Sequence, residues 1–379
     1  MEAGIEASKT RMVSRRRFLS IAALGAAGGL LAACAPAAAP SPTAAPAKPT
    51  EAPKPAATTA PAAAKPGGSP PSLPPLSEAD KSYKPVVYAG GVGWDHGMPY
   101  QVAAMDLWKK RYELDVDFKY GNPVISSQVQ TTGQFDVTYN HNLQTLQFAD
   151  RGAPVRIVAA TSAGSAFVLV NEQVSDAKQL EGTRYGVITK GDGMDILYRR
   201  HILPDRGVDT SKMEAVQVPF DQAAIALQRG DIMSYFLWEP AANQAQDKPG
   251  VKVLWDWRNT WHNGIFFRNC MVMNANLMKD HPAIAKRLVW AHLDGLNFIR
   301  NNPDQAIQNM IKMDGGKTDP KWFEASLKDT DWTYDKLPDD WIDLVEQDLI
   351  ELNLVQPGFK ARKYIDWSLQ DGYAYVPPA

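Results

Sequence analysis

From Val86 onward, short apolar runs alternate with stretches of helical period, and glycine stands where one gives way to the other. "VVYAGGVGWDHGMPYQVAAMDLW" (86–108) predicts a strand, a glycine-bearing turn and a helix, and "RYGVITKGDGMDILYRRHIL" (184–203) predicts the same three elements. "VQTTGQFDVTYN" (129–140) then echoes "ALQRGDIMSYFLW" (226–238), each a helix end, a glycine and a strand. "APVRIVAAT" (153–161) pairs with "PGVKVLWDW" (249–257), and "FVLVNEQV" (167–174) with "CMVMNANL" (270–277). The spacings agree as well: Val86 to Gly133 is 47 positions and Arg184 to Gly230 is 46. Gly133 to Val155 is 22 and Gly230 to Val251 is 21. One departure is that Met233 stands where the first copy has Asp136, which is read as structural. Strands alternating with helices imply mostly parallel sheets flanked by helices. Two such units predict an α/β chain of two lobes. The chain then crosses between them near 162–171 and again near 261–274.

The last hundred residues carry a helical period. Asp280 and Pro282 open one helix with Ile284, Leu288, Leu296 and Ile299 on one face. Asn302-Pro303 opens a second, and Pro338 a third with Trp341, Leu344, Val345 and Leu352 as its apolar stripe.

The N-terminal pattern is different in kind. Arg15, Arg16 and Arg17 precede an uncharged run from Ile21 to Ala33, too short to span a bilayer, which needs about 20 apolar residues. This describes an export signal. "SRRRFL" resembles the twin-arginine motif, and Leu31-Ala32-Ala33-Cys34 resembles the lipobox, whose cysteine is lipidated. The Ala/Pro stretch that follows offers almost nothing to bury and predicts a semi-rigid tether. The expected division is a signal over 1–33 and the lipidated Cys34 plus linker over 34–80. Lobe one is expected over 81–172 and 263–379, and lobe two over 173–262.

Composition narrows the function. Without the first 33 residues the chain holds 35 basic and 40 acidic residues, which argues against nucleic acid as a partner. With Cys34 an anchor, Cys270 is left alone and reads as a small buried hydrophobe. HExxH, GxSxG and phosphate-cradling motifs are missing. No enzyme activity, cofactor or metal is expected.

In open α/β lobes, ligands lie beyond the carboxyl ends of the strands. That rule selects Trp94, Asp95, His96, Tyr139, Asn140 and His141 from lobe one, and Lys190, Asp192, Trp238 and Glu239 from lobe two. The crossovers add Ser162, Ser165, His262 and Asn263. Trp94 follows a glycine-rich turn and is expected to expose its ring to the cleft. Asp95 and Asp192 stand where helix N-caps belong. His96, His141 and His262 read as loop or ligand contacts, Trp238 as a hinge or stacking ring, Glu239 as a brace or ligand group, and Lys190 as a solvated charge. Tryptophans beside carboxylates suit a flat ring bearing N–H donors, such as an aminopyrimidine or flavin-like heterocycle, better than a small anion.

The ordered set "MPYQVAAMDLWKKRYELDVDF", "TTGQFDV", "RGAPVRIVAA", "LEGTRYGV", "IALQRGDI", "WEPA" and "MNANLMKDHPAIAKRL" resembles the substrate-binding proteins of bacterial ABC importers, in the branch that binds nitrate, sulfonates, taurine or the pyrimidine precursor of thiamine. The resemblance implies the two-lobed type II periplasmic binding fold and a monomer exported to the outer face of the cytoplasmic membrane or periplasm. It also implies hinge closure on a small solute and delivery to an ABC permease and its ATPase. A eukaryotic pyrimidine synthase of the same fold family needs a cysteine-rich iron motif, which one remaining cysteine cannot supply. A lipid-anchored ligand sensor would share the fold, anchor and cleft.

Overall fold

The computed structural model describes residues 73–91, 93–121, 123–259 and 266–378. The signal, Cys34 and most of the Ala/Pro stretch lie outside the described residues, as do His262 and Asn263. Residues before 81 take part in the fold: Ser77 caps a helix at Glu78–Ser82, and Arg287 donates to the Pro74 carbonyl at 2.6 Å. Leu73 and Leu76 pack on the lobe-one core, so they belong to the fold and not to the linker.

Strands β1 (Val86–Ala89), β2 (Asp117–Tyr120), β3 (Val137–His141) and β4 (Val155–Ala160) come first, followed by a short β5 (Ala163–Gly164). Next are β6 (Ala166–Asn171), β7 (Arg184–Val187), β8 (Glu214–Gln217), β9 (Ser234–Trp238) and β10 (Val251–Trp255). Strands β11 (Asn269–Asn274) and β12 (Thr330–Asp331) complete the set among the described residues.

The internal echo is real in three dimensions. One sheet has the order β2-β1-β3-β11-β4, and the other, read from its far edge, β8-β7-β9-β6-β10. Each strand occupies the place of its sequence counterpart, including β6 for β11. The sheets are mixed, because β11 runs antiparallel to β3 and β4, and β6 antiparallel to β9 and β10. Each of these two strands has just crossed from the other lobe and so enters its sheet from the opposite end. This moves one boundary. β6 belongs to the second sheet, so the first crossing takes the first part of the expected 162–171 stretch, and Ala166–Asn171 lie in lobe two and not in lobe one.

Asp136 earns its place mechanically: its carboxylate accepts from the Val86 N–H and the Tyr83 hydroxyl, each at 2.7 Å, fixing the start of β1. The long helix Pro282–Asn301 begins at the predicted proline and buries Ile284, Leu288, Leu296 and Ile299. It lies close on the helix Gly97–Ala104 because Gly295 has no side chain; a Cβ there would stand 2.5 Å from the Met98 carbonyl oxygen. One apolar core runs through both lobes, joining Leu146 and Ile157 to Val168, Tyr198 and Phe236 by way of Phe266, Phe267 and Trp341. Trp341 comes from the helix Asp339–Glu351, whose buried Asp348 also reaches lobe two. It meets Arg200 Nε at 3.0 Å and His201 Nε2 at 2.7 Å.

Candidate functional site

The carboxyl ends of β1, β3 and β9 converge with both crossovers between the lobes. After β1, Gly93 leads into the turn Trp94–His96, which runs into the helix Gly97–Ala104. The Trp94 N–H donates to Glu239 Oε1 at 2.9 Å, a bond from lobe one to lobe two. Glu239 follows β9 directly, and its own N–H donates to the Ser165 carbonyl on the first crossover at 3.1 Å. Ser165 holds a left-handed backbone, φ 62°, a conformation uncommon outside glycine and asparagine.

Asp95 is buried and does not cap the helix that follows. Its Oδ2 accepts from the Arg268 guanidinium and from the Asn269 amide, both on the second crossover. Asn269 Nδ2 also donates to His96 Nε2 at 3.2 Å, so the neutral His96 ring carries its proton on Nδ1. The Arg268 guanidinium lies over the Trp238 ring, with Cζ 4.3 Å from the ring centroid.

Around this frame, several buried polar atoms make no hydrogen bond to a described protein atom. They are Asp95 Oδ1, Glu239 Oε2, His96 Nδ1, Ser165 Oγ and both ring nitrogens of His141. The first two flank Gly93: a Cβ there would stand 2.7 Å from Asp95 Oδ1 and 3.2 Å from Glu239 Oε2. Six such atoms therefore lie together between the lobes, contributed by both lobes and a crossover.

The electrostatics follow from burial. Loss of water, and the Asp95 charge beside it, push the Glu239 carboxyl well above the usual carboxylate range against the opposing pull of Arg268. Burial lowers His96 and, with the Arg268 charge adding to it, takes His141 down to about 3, so both rings stay neutral.

The remaining candidates divide. Trp94 is fully buried, its Nε1 donating to the Phe323 carbonyl at 3.0 Å and its ring meeting Phe323 and Trp332 edge-on. It is a core residue with no face toward the cleft, contrary to expectation. The Tyr139 hydroxyl is directed into lobe one, donating to His292 Nδ1 at 3.1 Å. Asn140 donates to Ser127 Oγ at 3.2 Å. Ser162 is buried on the first crossover. Asp192 caps the helix Gly193–Leu197, accepting from the Asp195 N–H at 2.9 Å, and burial pushes its carboxyl up to about 6. Lys190 is exposed.

Arg268 and Asn269 were missed by position-based reasoning, although the repeat contained the signal. Setting "FVLVN" on "CMVMN" places Arg268 and Asn269 opposite Ser165 and Ala166, already on the crossover. Registers agree: Asn269 pairs with His141 at the end of β3, and Ala166 with Trp238 at the end of β9. Among the described residues no group of three or more His, Cys, Asp or Glu side chains is placed to hold a metal ion.

A family model described as "NMT1/THI5 like" matches residues 96–306, more than half of the chain. No curated protein sequence matches. Among solved structures, the ligand-binding component of an ABC-type import system from Staphylococcus aureus, determined with zinc bound, aligns with a TM-score of 0.66 at 11% identity, over 78% of this chain and 100% of that one. The periplasmic aliphatic sulphonate-binding protein SsuA of Escherichia coli aligns at 0.61 with 17% identity, over 78% and 93%. The periplasmic nitrate-binding protein NrtA of Synechocystis PCC 6803 aligns at 0.60 with 13% identity, over 76% and 86%. At these identities the likeness is one of fold, the periplasmic binding fold.

Proposed function

The chain belongs to the NMT1/THI5-like family, and on that footing we propose that it is an extracytoplasmic solute-binding protein that encloses a small molecule between its lobes and delivers it to an ABC permease and its ATPase. The observation that carries this reading is the inter-lobe cluster of Asp95, His96, His141, Ser165 and Glu239, whose open polar atoms come from both lobes and a crossover. Closure about the two crossovers brings these groups together, and a solute that binds them stabilises the closed state. Capture of this kind needs no covalent step. Among the described residues no helix is long and apolar enough to cross a membrane. The proposed attachment is through Cys34, with the Ala/Pro stretch as tether to a monomeric binding domain.

The proposed solute is a planar heterocycle with N–H donors, in the manner of an aminopyrimidine. Beside Gly93 the Glu239 carboxyl, whose hold on its proton is strengthened by burial and by the Asp95 charge, stands next to the Asp95 carboxylate, so that a donor and an acceptor lie side by side. An amino group next to a ring nitrogen matches that edge, whereas an oxyanion offers acceptors only and meets the Asp95 charge. The second reading, a small anion, is favoured by the sulphonate- and nitrate-binding neighbours. A thermal-shift screen of the purified chain tests the two, with nitrate, taurine, alkanesulfonates, aminopyrimidines, thiamine and riboflavin. A rise with aminopyrimidines that Asp95→Asn abolishes is the expected result. A rise with anions alone transfers the assignment to the second reading.

A further inference from the structure

Resting on the solute-binding reading above, we infer that Arg268 is an internal stand-in for the solute, filling the slot between the Trp238 ring and the Asp95 carboxylate and leaving it when an amino-heterocycle binds. A guanidinium is flat, presents N–H donors in its plane, pairs with carboxylates through that edge and stacks on aromatic faces. Arg268 uses both abilities at once: Cζ lies 4.3 Å over the Trp238 centroid, and Nη2 donates to Asp95 Oδ2. An amino-heterocycle offers the same two features, a π face for Trp238 and an N–H edge for Asp95.

Three further observations suit displacement better than a fixed strut. Asn269 donates to the same Asp95 oxygen, so the carboxylate keeps a protein donor when Arg268 leaves. The Arg268 side chain is 12% exposed on a long, flexible stem, against 6% for Asp95, so of the two partners Arg268 is the one that borders solvent. At the equivalent place on the other crossover the fold uses the small Ser165, so the crossover geometry itself does not call for an arginine. The arrangement also regulates. It gives Trp238 and Asp95 a partner in the absence of solute, and it raises the solute concentration needed for occupancy by the inverse of the fraction of molecules in which the slot is open.

The test uses the full chain and its Arg268→Ala variant in two arms. In the first, methylguanidinium at millimolar concentration is followed by thermal shift; it stabilises Arg268→Ala and leaves the wild type and Arg268→Lys unmoved. In the second, calorimetry with 4-aminopyrimidine shows binding to Arg268→Ala about tenfold or more tighter than to the wild type. If Arg268→Ala unfolds, Arg268→Gln, which retains an N–H donor for Asp95, carries the same comparison. Loss of binding in the variant for any compound that stabilises the wild type overturns the inference, because Arg268 is then a solute contact. Failure of methylguanidinium to stabilise the variant overturns it as well. Methylguanidinium rescue with no 4-aminopyrimidine binding to either protein upholds the slot and overturns the proposed solute class.

Discussion

The backbone N–H of Trp94 donates to Glu239 Oε1 at 2.9 Å, tying the turn after β1 in one lobe to the residue after β9 in the other. The bond is buried, so its two ends differ in what their loss costs. Glu239→Gln keeps an acceptor and is expected to shift stability by under about 1 kcal/mol, while Glu239→Ala strands a buried N–H and costs about 1–3 kcal/mol. Urea midpoints of the two variants check this; equal midpoints contradict it.

Lobe closure has a steric gate at Gly193. A Cβ on that residue would overlap the His141 ring from the opposite lobe. Gly193→Ala therefore holds the lobes apart without disturbing either sheet. Small-angle scattering should show a larger radius of gyration than the wild type, with solute-dependent stabilisation lost. An unchanged radius with binding intact would mean that the lobes do not need to meet there.

Asp348 ties the C-terminal helix Asp339–Glu351 to lobe two through Arg200 and His201. Its carboxylate is buried, whereas the Arg200 side chain is 26% exposed and retains Glu351 as a partner. Asp348→Ala is expected to cost about 2 kcal/mol, less than an isolated buried pair would lose. A double-mutant cycle with Arg200→Ala measures the coupling, and a coupling near zero contradicts the assignment.

Buried histidines set the acid limit. His292 accepts from the Tyr139 hydroxyl on Nδ1 and donates to the Ala160 carbonyl from Nε2 at 2.8 Å, and burial lowers its pKa to about 4. It is neutral when folded but takes a proton near pH 6.5 when unfolded, so its contribution is complete above pH 6.5 and is lost as pH falls toward 4. At pH 5 the loss from His292 alone is about 2 kcal/mol. Denaturant unfolding at pH 7 and pH 5 measures it against His292→Gln, which should show a smaller decline by that amount; equal declines contradict it.

The fold was legible because its signals are local or repeated. Proline at 282 and 303 starts helices, glycine at 133 and 230 ends them, and two matching sets of apolar runs announce two matching sheets. Asp192 was legible as a cap for the same reason, since an N-cap depends on the next three residues only. The site was less so. Whether Trp94 faces solvent or core depends on Phe323 and Trp332, more than 220 positions away, and neither stands in any pattern with it. Arg268 was visible only by carrying the repeat two residues upstream of Cys270, into a stretch whose partner is the inconspicuous Ser165. The boundary between the lobes was placed late, after 172, because an apolar strand such as β6 reads alike in either sheet; its antiparallel pairing with β9 and β10 decides it.

The cluster between the lobes is proposed to hold a small N–H-bearing solute. The most direct measurement is to equilibrate the protein with a bacterial metabolite extract, wash it, denature it and identify by mass spectrometry what is released. The wild type is expected to release a stoichiometric amino-heterocycle, and Asp95→Asn and Gly193→Ala none. Release of a sulfonate or another anion, or equal release from the variants, would contradict it.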